Sequence, residues 1–164
     1  MDRVAEAFVG REACRAEILL LAGSAALAGA GLLVTGAALI GAPWSEVTGL
    51  HLAFMGGLGL GVYAVFCIAG LLHTNQPLGL SRMARLGALL LVAATAMRVA
   101  PDLGVEIPGP LYGVASVGWA AAFLLWLADL WPSLQSLPVS GATEEIKTSA
   151  ETSEHADQPV AAAE

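Results

Sequence analysis

Charge is what this sequence has least of. Asp, Glu, Lys and Arg make up 13% of its 164 residues against 57% hydrophobic residues, and the mean hydropathy is +0.72. That shortage excludes a soluble domain of ordinary composition, whose surface would be covered by charged side chains. Lys and Arg number seven in all and form no patch, which excludes nucleic acid as a partner. Cysteine is nearly missing too: Cys14 and Cys67 have neither metal-site nor redox-motif spacing, and a disulfide between them is not expected. There is no phosphate-binding glycine loop, nucleophile elbow or metalloprotease helix, so the soluble enzyme chemistries built on them are excluded. "GGLGLG" looks like a dinucleotide fingerprint, but it lies inside a long apolar run rather than between a strand and a helix.

What the sequence does contain is length without charge. Residues 18–42 carry no charge, 47–72 are interrupted only by His51, and 110–130 are uncharged until Asp129. Residues 78–100 hold Arg82 and Arg85 at one end and Arg98 at the other, with an uncharged middle at 86–97. A hydrocarbon core of roughly 30 Å needs about 20 helical residues. The runs are apolar on every face, whereas a barrel strand alternates. The expectation is an all-α, polytopic membrane protein, a bundle of four transmembrane helices at 18–135, with the lipid bilayer as its first partner.

The segment before the first run, "MDRVAEAFVGREACRAE", is mixed in charge, unlike the basic start of a signal peptide. Residues 1–17 are expected to form a cytoplasmic amphipathic segment with Val4 and Phe8 on one side. Residues 136–164 are polar and acidic, carrying Glu144, Glu145, Glu151, Glu154 and Asp157, and are expected to be a disordered, dispensable tail. Arg3, Arg11, Arg15, Arg82, Arg85 and Lys147 fall on one side of the spans and only Arg98 on the other. The positive-inside rule then puts both termini in the cytoplasm.

That topology assigns depths to the polar residues. His51 begins the second run near the outer face, and His73 ends it at the inner face. They are 22 residues apart, roughly 33 Å along a helix, so they cannot share a metal ion. By the α-helical repeat that interval returns to within roughly 40° of its start, placing both on one face. Met55 is four residues after His51, and Met97 and Arg98 end the third run. An imidazole with thioethers is a soft site for Cu(I), although the methionines serve equally as packing and His51 equally as a donor to a backbone carbonyl. At the inner end His73 stands with Thr74, Asn75, Gln76, Arg82 and Arg85, and with Asp129 from the last run. A histidine beside two arginines suits a heme iron and its propionates; a polar helix end at a membrane surface would use the same residues. Gly57 with Gly61, and Gly109 with Gly113, have the four-residue spacing of close helix contacts. Trp44, Tyr112, Trp126 and Trp131 are placed as interfacial anchors.

Taken in order, "HLAFMGGLGLG", "GLLHTNQPL", "MRVAP" and "WAAAFLLWLADLWPSL" resemble the C-terminal part of the NnrS family, polytopic bacterial membrane proteins described as containing heme and copper and associated with nitric oxide metabolism. The resemblance covers roughly residues 47–135. It implies His51 and His73 as metal ligands, with Thr74, Pro77 and Leu78 completing a motif like "LGHTGRPL". It also implies Arg98 and Val99 as the family's Arg-Val pair and Trp119 as its tryptophan. Asn75 and Gln76 replace the motif's Gly-Arg pair, and Leu72 its preceding glycine.

The resulting expectation is a small NnrS-like protein that binds heme and/or copper through His51, His73 and Met55 as metal ligands, with Arg82, Arg85 and Arg98 around a cofactor. Two histidines at opposite faces cannot complete a bis-histidine heme within one chain, so a homo-oligomer or a partner membrane subunit is implied. The alternative is a non-catalytic accessory subunit that keeps the fold without the metal. A small transporter is disfavoured by the lack of a broken helix or a midplane acid.

Overall fold

The computed structural model describes residues 15–136 except Ile107. Four helices fill it. Helix α1 is Ala16–Leu39; α2 runs without a break over Glu46–His73; α3 is Arg82–Val99; α4 is Leu111–Gln135. A 3₁₀ turn at Pro101–Leu103 follows α3, and there is no strand among the described residues. The expected amphipathic segment lies outside the described residues as far as residue 14, and the acidic tail does so from residue 137.

The helix ends follow from local chemistry. Ser45 starts α2 by accepting a hydrogen bond at Oγ from Val47 N (3.2 Å), and Ser81 starts α3 in the same way with Ala84 N (2.9 Å), each satisfying an N–H that has no intrahelical acceptor. Helix α1 ends with Gly41 at φ 101°, where Ala42 N reaches Ala37 O and Gly41 N reaches Ala38 O. Helix α2 ends identically around Asn75 at φ 54°, with Gln76 N on Leu71 O and Asn75 N on Leu72 O. Both are Schellman closures, which need a left-handed residue just past the helix. Glycine takes that conformation freely and asparagine is the next best choice.

Helix α1 packs chiefly on α2 and α3 on α4, with α2 joining the two pairs. The buried centre is Leu60, Tyr63, Cys67, Leu80, Ala84, Ala88, Leu91 and Ala122. Around it Tyr63, Phe66, Trp119, Phe123 and Trp126 meet edge-on or tilted, with centroids 4.8–6.3 Å apart, geometries that aromatic quadrupoles favour. Tyr63 donates its hydroxyl to Ala84 O (2.9 Å), so the polar end of a fully buried ring is satisfied. Outside this centre the bundle is covered in apolar side chains: Leu33, Ile40, Val117 and Leu124 are all at least 65% exposed. Such a surface is stable against lipid and not against water.

Three helices, α1, α2 and α4, are long and apolar enough to cross a membrane. Helix α3 is different. It has 18 residues and holds Arg82, Arg85 and Arg98, yet Ala84, Gly87, Ala88, Leu91, Ala94, Thr95 and Val99 are buried. One face of this short helix is covered by its neighbours, while Met83, Leu86, Leu89 and Val92 stand exposed on the other. Residues 78–80, expected to belong to it, precede the Ser81 cap and stay outside.

Candidate functional site

Helix α2 is not α-helical throughout. Residues His51–Leu58 form π-helix between α-helical Glu46–Leu50 and Gly59–His73. In that stretch N–H groups reach back five residues instead of four, a geometry that is rare and concentrated at functional sites. Placing His51 and His73 on one face takes 3.6 residues per turn over the whole interval. Each residue gained in a π turn rotates the later side chains by about 100° relative to that count, so the two rings are not held to one face. Their separation stands, since they occupy the two ends of one continuous helix.

The π segment is where the bundle converges. A Cβ at Gly56 would meet Thr95 of α3, at Gly57 the backbone of Ala28 of α1, and at Gly59 the indole nitrogen of Trp119 of α4. Three glycines of "MGGLG" therefore admit three different helices. Gly31 and Gly49 interlock α1 and α2 nearby, each with the other's backbone in the space a Cβ would take. Gly57 and Gly61 both face α1, as their spacing predicted; Gly61 lies against Ser24. The other pair does not pack: Gly109 lies before α4 at φ 119°, and neither it nor Gly113 has an atom near the position of a Cβ.

At this end His51 is half-buried, and its Nδ1 lies 2.8 Å from Val47 O. A carbonyl only accepts, so Nδ1 carries a proton, and in the neutral ring the lone pair is then on Nε2. A metal-binding imidazole is commonly fixed in this way, by donating its other N–H to a carbonyl. Met55, also half-buried, is one turn on. Arg98, expected at a cofactor, is engaged otherwise. Its Nη1 donates to Asp102 Oδ2 (3.2 Å) and its guanidinium lies 4.4 Å from the centre of the Tyr112 ring. Asp102 also accepts from the fully buried Thr48 and from Tyr112, both at 3.4 Å. This carboxylate, absent from the sequence-based site, ties α2, α3 and α4 together. Its signal was the i,i+4 spacing from Arg98. Trp44 and Tyr112 are more than interfacial anchors: Trp44 donates its indole N–H to Val34 O (3.0 Å).

At the other end His73 is the last residue of α2 and is exposed, as are Arg82 and Arg85. Arg85 donates through Nε to Leu80 O (3.1 Å). Asn75, standing where the family motif has glycine, is in the left-handed conformation at φ 54°. Gln76, in place of the motif's arginine, donates to Ser133 Oγ (2.7 Å) and Thr74 Oγ1 (3.1 Å). Asp129 receives Ser81 Oγ at 2.6 Å. With Cys67, Gln76, Ser81, Trp126 and Leu130 it lines a cavity of about 220 Å³ that His73 does not reach. Glu17, placed by sequence in the surface segment, is buried in the first turn of α1, 3.8 Å from Arg15.

No three His, Cys, Asp or Glu side chains gather in a metal-binding arrangement among the described residues. His51 and Met55 offer an imidazole and a thioether, donors of the kind that a soft ion such as Cu(I) takes. Among the described residues His73 does not line the cavity at its end of the bundle.

Comparison with curated proteins and with solved structures finds no match. The profile of the NnrS family, described as NnrS protein, matches residues 1–137. That takes in α1 and the segment before it as well as the 47–135 region carrying the recognisable motifs, and on this extent of match the chain belongs to the NnrS family.

Proposed function

We propose that this chain is a metal-handling NnrS-type protein of the bacterial inner membrane, acting in nitric oxide metabolism or response, with both termini cytoplasmic. The observation that carries the reading is the His51 ring: its Nδ1 proton is given to Val47 O, its Nε2 is left for a ligand, and Met55 follows one turn later. Copper(I) is the ion assigned to that pair. Heme, the other group the resemblance implies, belongs at the opposite end. There His73 supplies the imidazole and Arg82 and Arg85 the charges for propionates. Because His73 is exposed at a helix end, that heme sits between copies of the chain or against a partner membrane subunit. Copper content and the optical spectrum of protein purified from membranes test both halves. His51→Ala should remove the copper and leave any Soret band, and His73→Ala should do the reverse. Equal copper and heme in the parent and both variants refutes the assignment.

A second reading, an accessory subunit without metal, is supported by Gln76. The neutral amide replaces a cation beside His73 and spends its donors on Ser133 and Thr74, turning this loop into a connection between α2 and α4.

A further inference from the structure

The π segment ends at a specific hydrogen bond from another helix. At its C-terminal end the Gly59 N–H is shared between Gly56 O, three residues back, and Phe54 O, five residues back. When the ladder returns to the four-residue step, one carbonyl is passed over by the helix's own N–H groups, and a buried carbonyl without a donor is costly. The next carbonyl along is that of Met55, and it receives the indole N–H of Trp119 at 3.2 Å. The indole reaches it because position 59 is glycine: a Cβ there would stand 3.2 Å from Trp119 Nε1. Phe123, 4.8 Å away between ring centres, holds the indole from its own helix.

We propose that Trp119 is a positioning residue for the His51–Met55 pair: by occupying the Met55 carbonyl, its indole N–H keeps residues 51–58 in the π form and so sets where the imidazole and the thioether stand. Without that donor the carbonyl is satisfied by returning to the α ladder. Each residue of register recovered in that way turns the preceding side chains by about 100° relative to the rest of α2. The inference rests on the reading of His51 and Met55 as donors to a soft ion, and the ion itself takes no part in the hydrogen bond.

Trp119→Phe keeps a ring against Phe123 and removes only the N–H. Two measurements on the purified full-length protein test it. The first is Cu(I) affinity by competition with a chromophoric chelator, with parent and His51→Ala as references. The second is hydrogen exchange of the peptide covering residues 51–59 in the metal-free protein. The expected result is a loss of Cu(I) affinity of about tenfold or more, the scale of losing a residue that orients a ligand, with altered exchange in 51–59. Affinity equal to the parent overturns the positioning role even where stability falls. If the parent binds no Cu(I), or His51→Ala binds as tightly as the parent, it is the metal reading that fails, and the positioning role with it. Should Trp119→Phe not fold, Gly59→Ala presses on the same indole from α2. Weaker Cu(I) binding there supports the proposal and parent-like binding overturns it.

Discussion

At the scale of single residues the clearest case is Asn75. Its φ of 54° is a conformation that costs an ordinary L-residue roughly 1–2 kcal/mol, and the Schellman closure of α2 depends on it. Asn75→Gly, which restores the family motif at this position, is therefore expected to be neutral or slightly stabilising. Asn75→Val should cost about 1–2 kcal/mol, read as a lower thermal midpoint in detergent. Asp102 is the opposite kind of residue, important through its partners. Asp102→Ala strips acceptors from fully buried Thr48, half-buried Arg98 and exposed Tyr112. Leaving buried donors unsatisfied costs roughly 1–3 kcal/mol, and a thermal midpoint unchanged from the parent would contradict this role. His51 and Met55 were legible as candidates because polar or soft groups stand out in an apolar run. Asp102 had one signal, its i,i+4 spacing from Arg98, but its other partners Thr48 and Tyr112, 54 and 10 residues away in the chain, left none.

At the scale of elements, the spans at 18–42, 47–72 and 110–130 were legible because length without charge is enough to identify them. The π segment left no such trace. A helix apolar all round has no stripe from which to count residues per turn, and "MGGLG" looks alike as α or π. Its glycines show their use only once neighbours are present, which yields a contrast between positions of identical chemistry. Gly57→Ala puts a methyl group 2.6 Å from Ala28 N and Gly49→Ala drives one into the Thr35 and Gly31 backbones; overpacking of this kind costs about 1–3 kcal/mol. Gly29→Ala and Gly113→Ala meet no atom within 4 Å. They should leave stability unchanged or raise it by up to about 1 kcal/mol through helix propensity. A parallel loss at all four positions would show that the α1–α2 interlock is not the cause.

At the scale of the whole molecule, topology turns on whether α3 crosses the membrane. The other three helices have the length and apolarity to do so, and three crossings would leave the termini on opposite sides, whereas four return them to the same side. Helix α3 spans about 27 Å at 1.5 Å per residue, slightly short of a hydrocarbon core of roughly 30 Å. Its arginines are nevertheless placed at its ends, where long side chains extend to the interface, and the charge of Arg98 is matched by Asp102 at 3.2 Å. The buried face of α3 lies against its neighbours, so much of its apolar requirement is met by protein rather than lipid. Those features favour four crossings, and with four the proposed cytoplasmic location of both termini agrees with the Lys and Arg asymmetry of six to one under the positive-inside rule. Reporter fusions at residues 2 and 140 should both report the cytoplasmic side, and one within residues 101–108 the opposite side. Fusions at 2 and 140 on different sides would make α3 a helix that does not cross. Loop 101–108 and the loop at 74–81 would then lie at the same membrane face, and the shared depth of His51 and Arg98 would have to be redrawn.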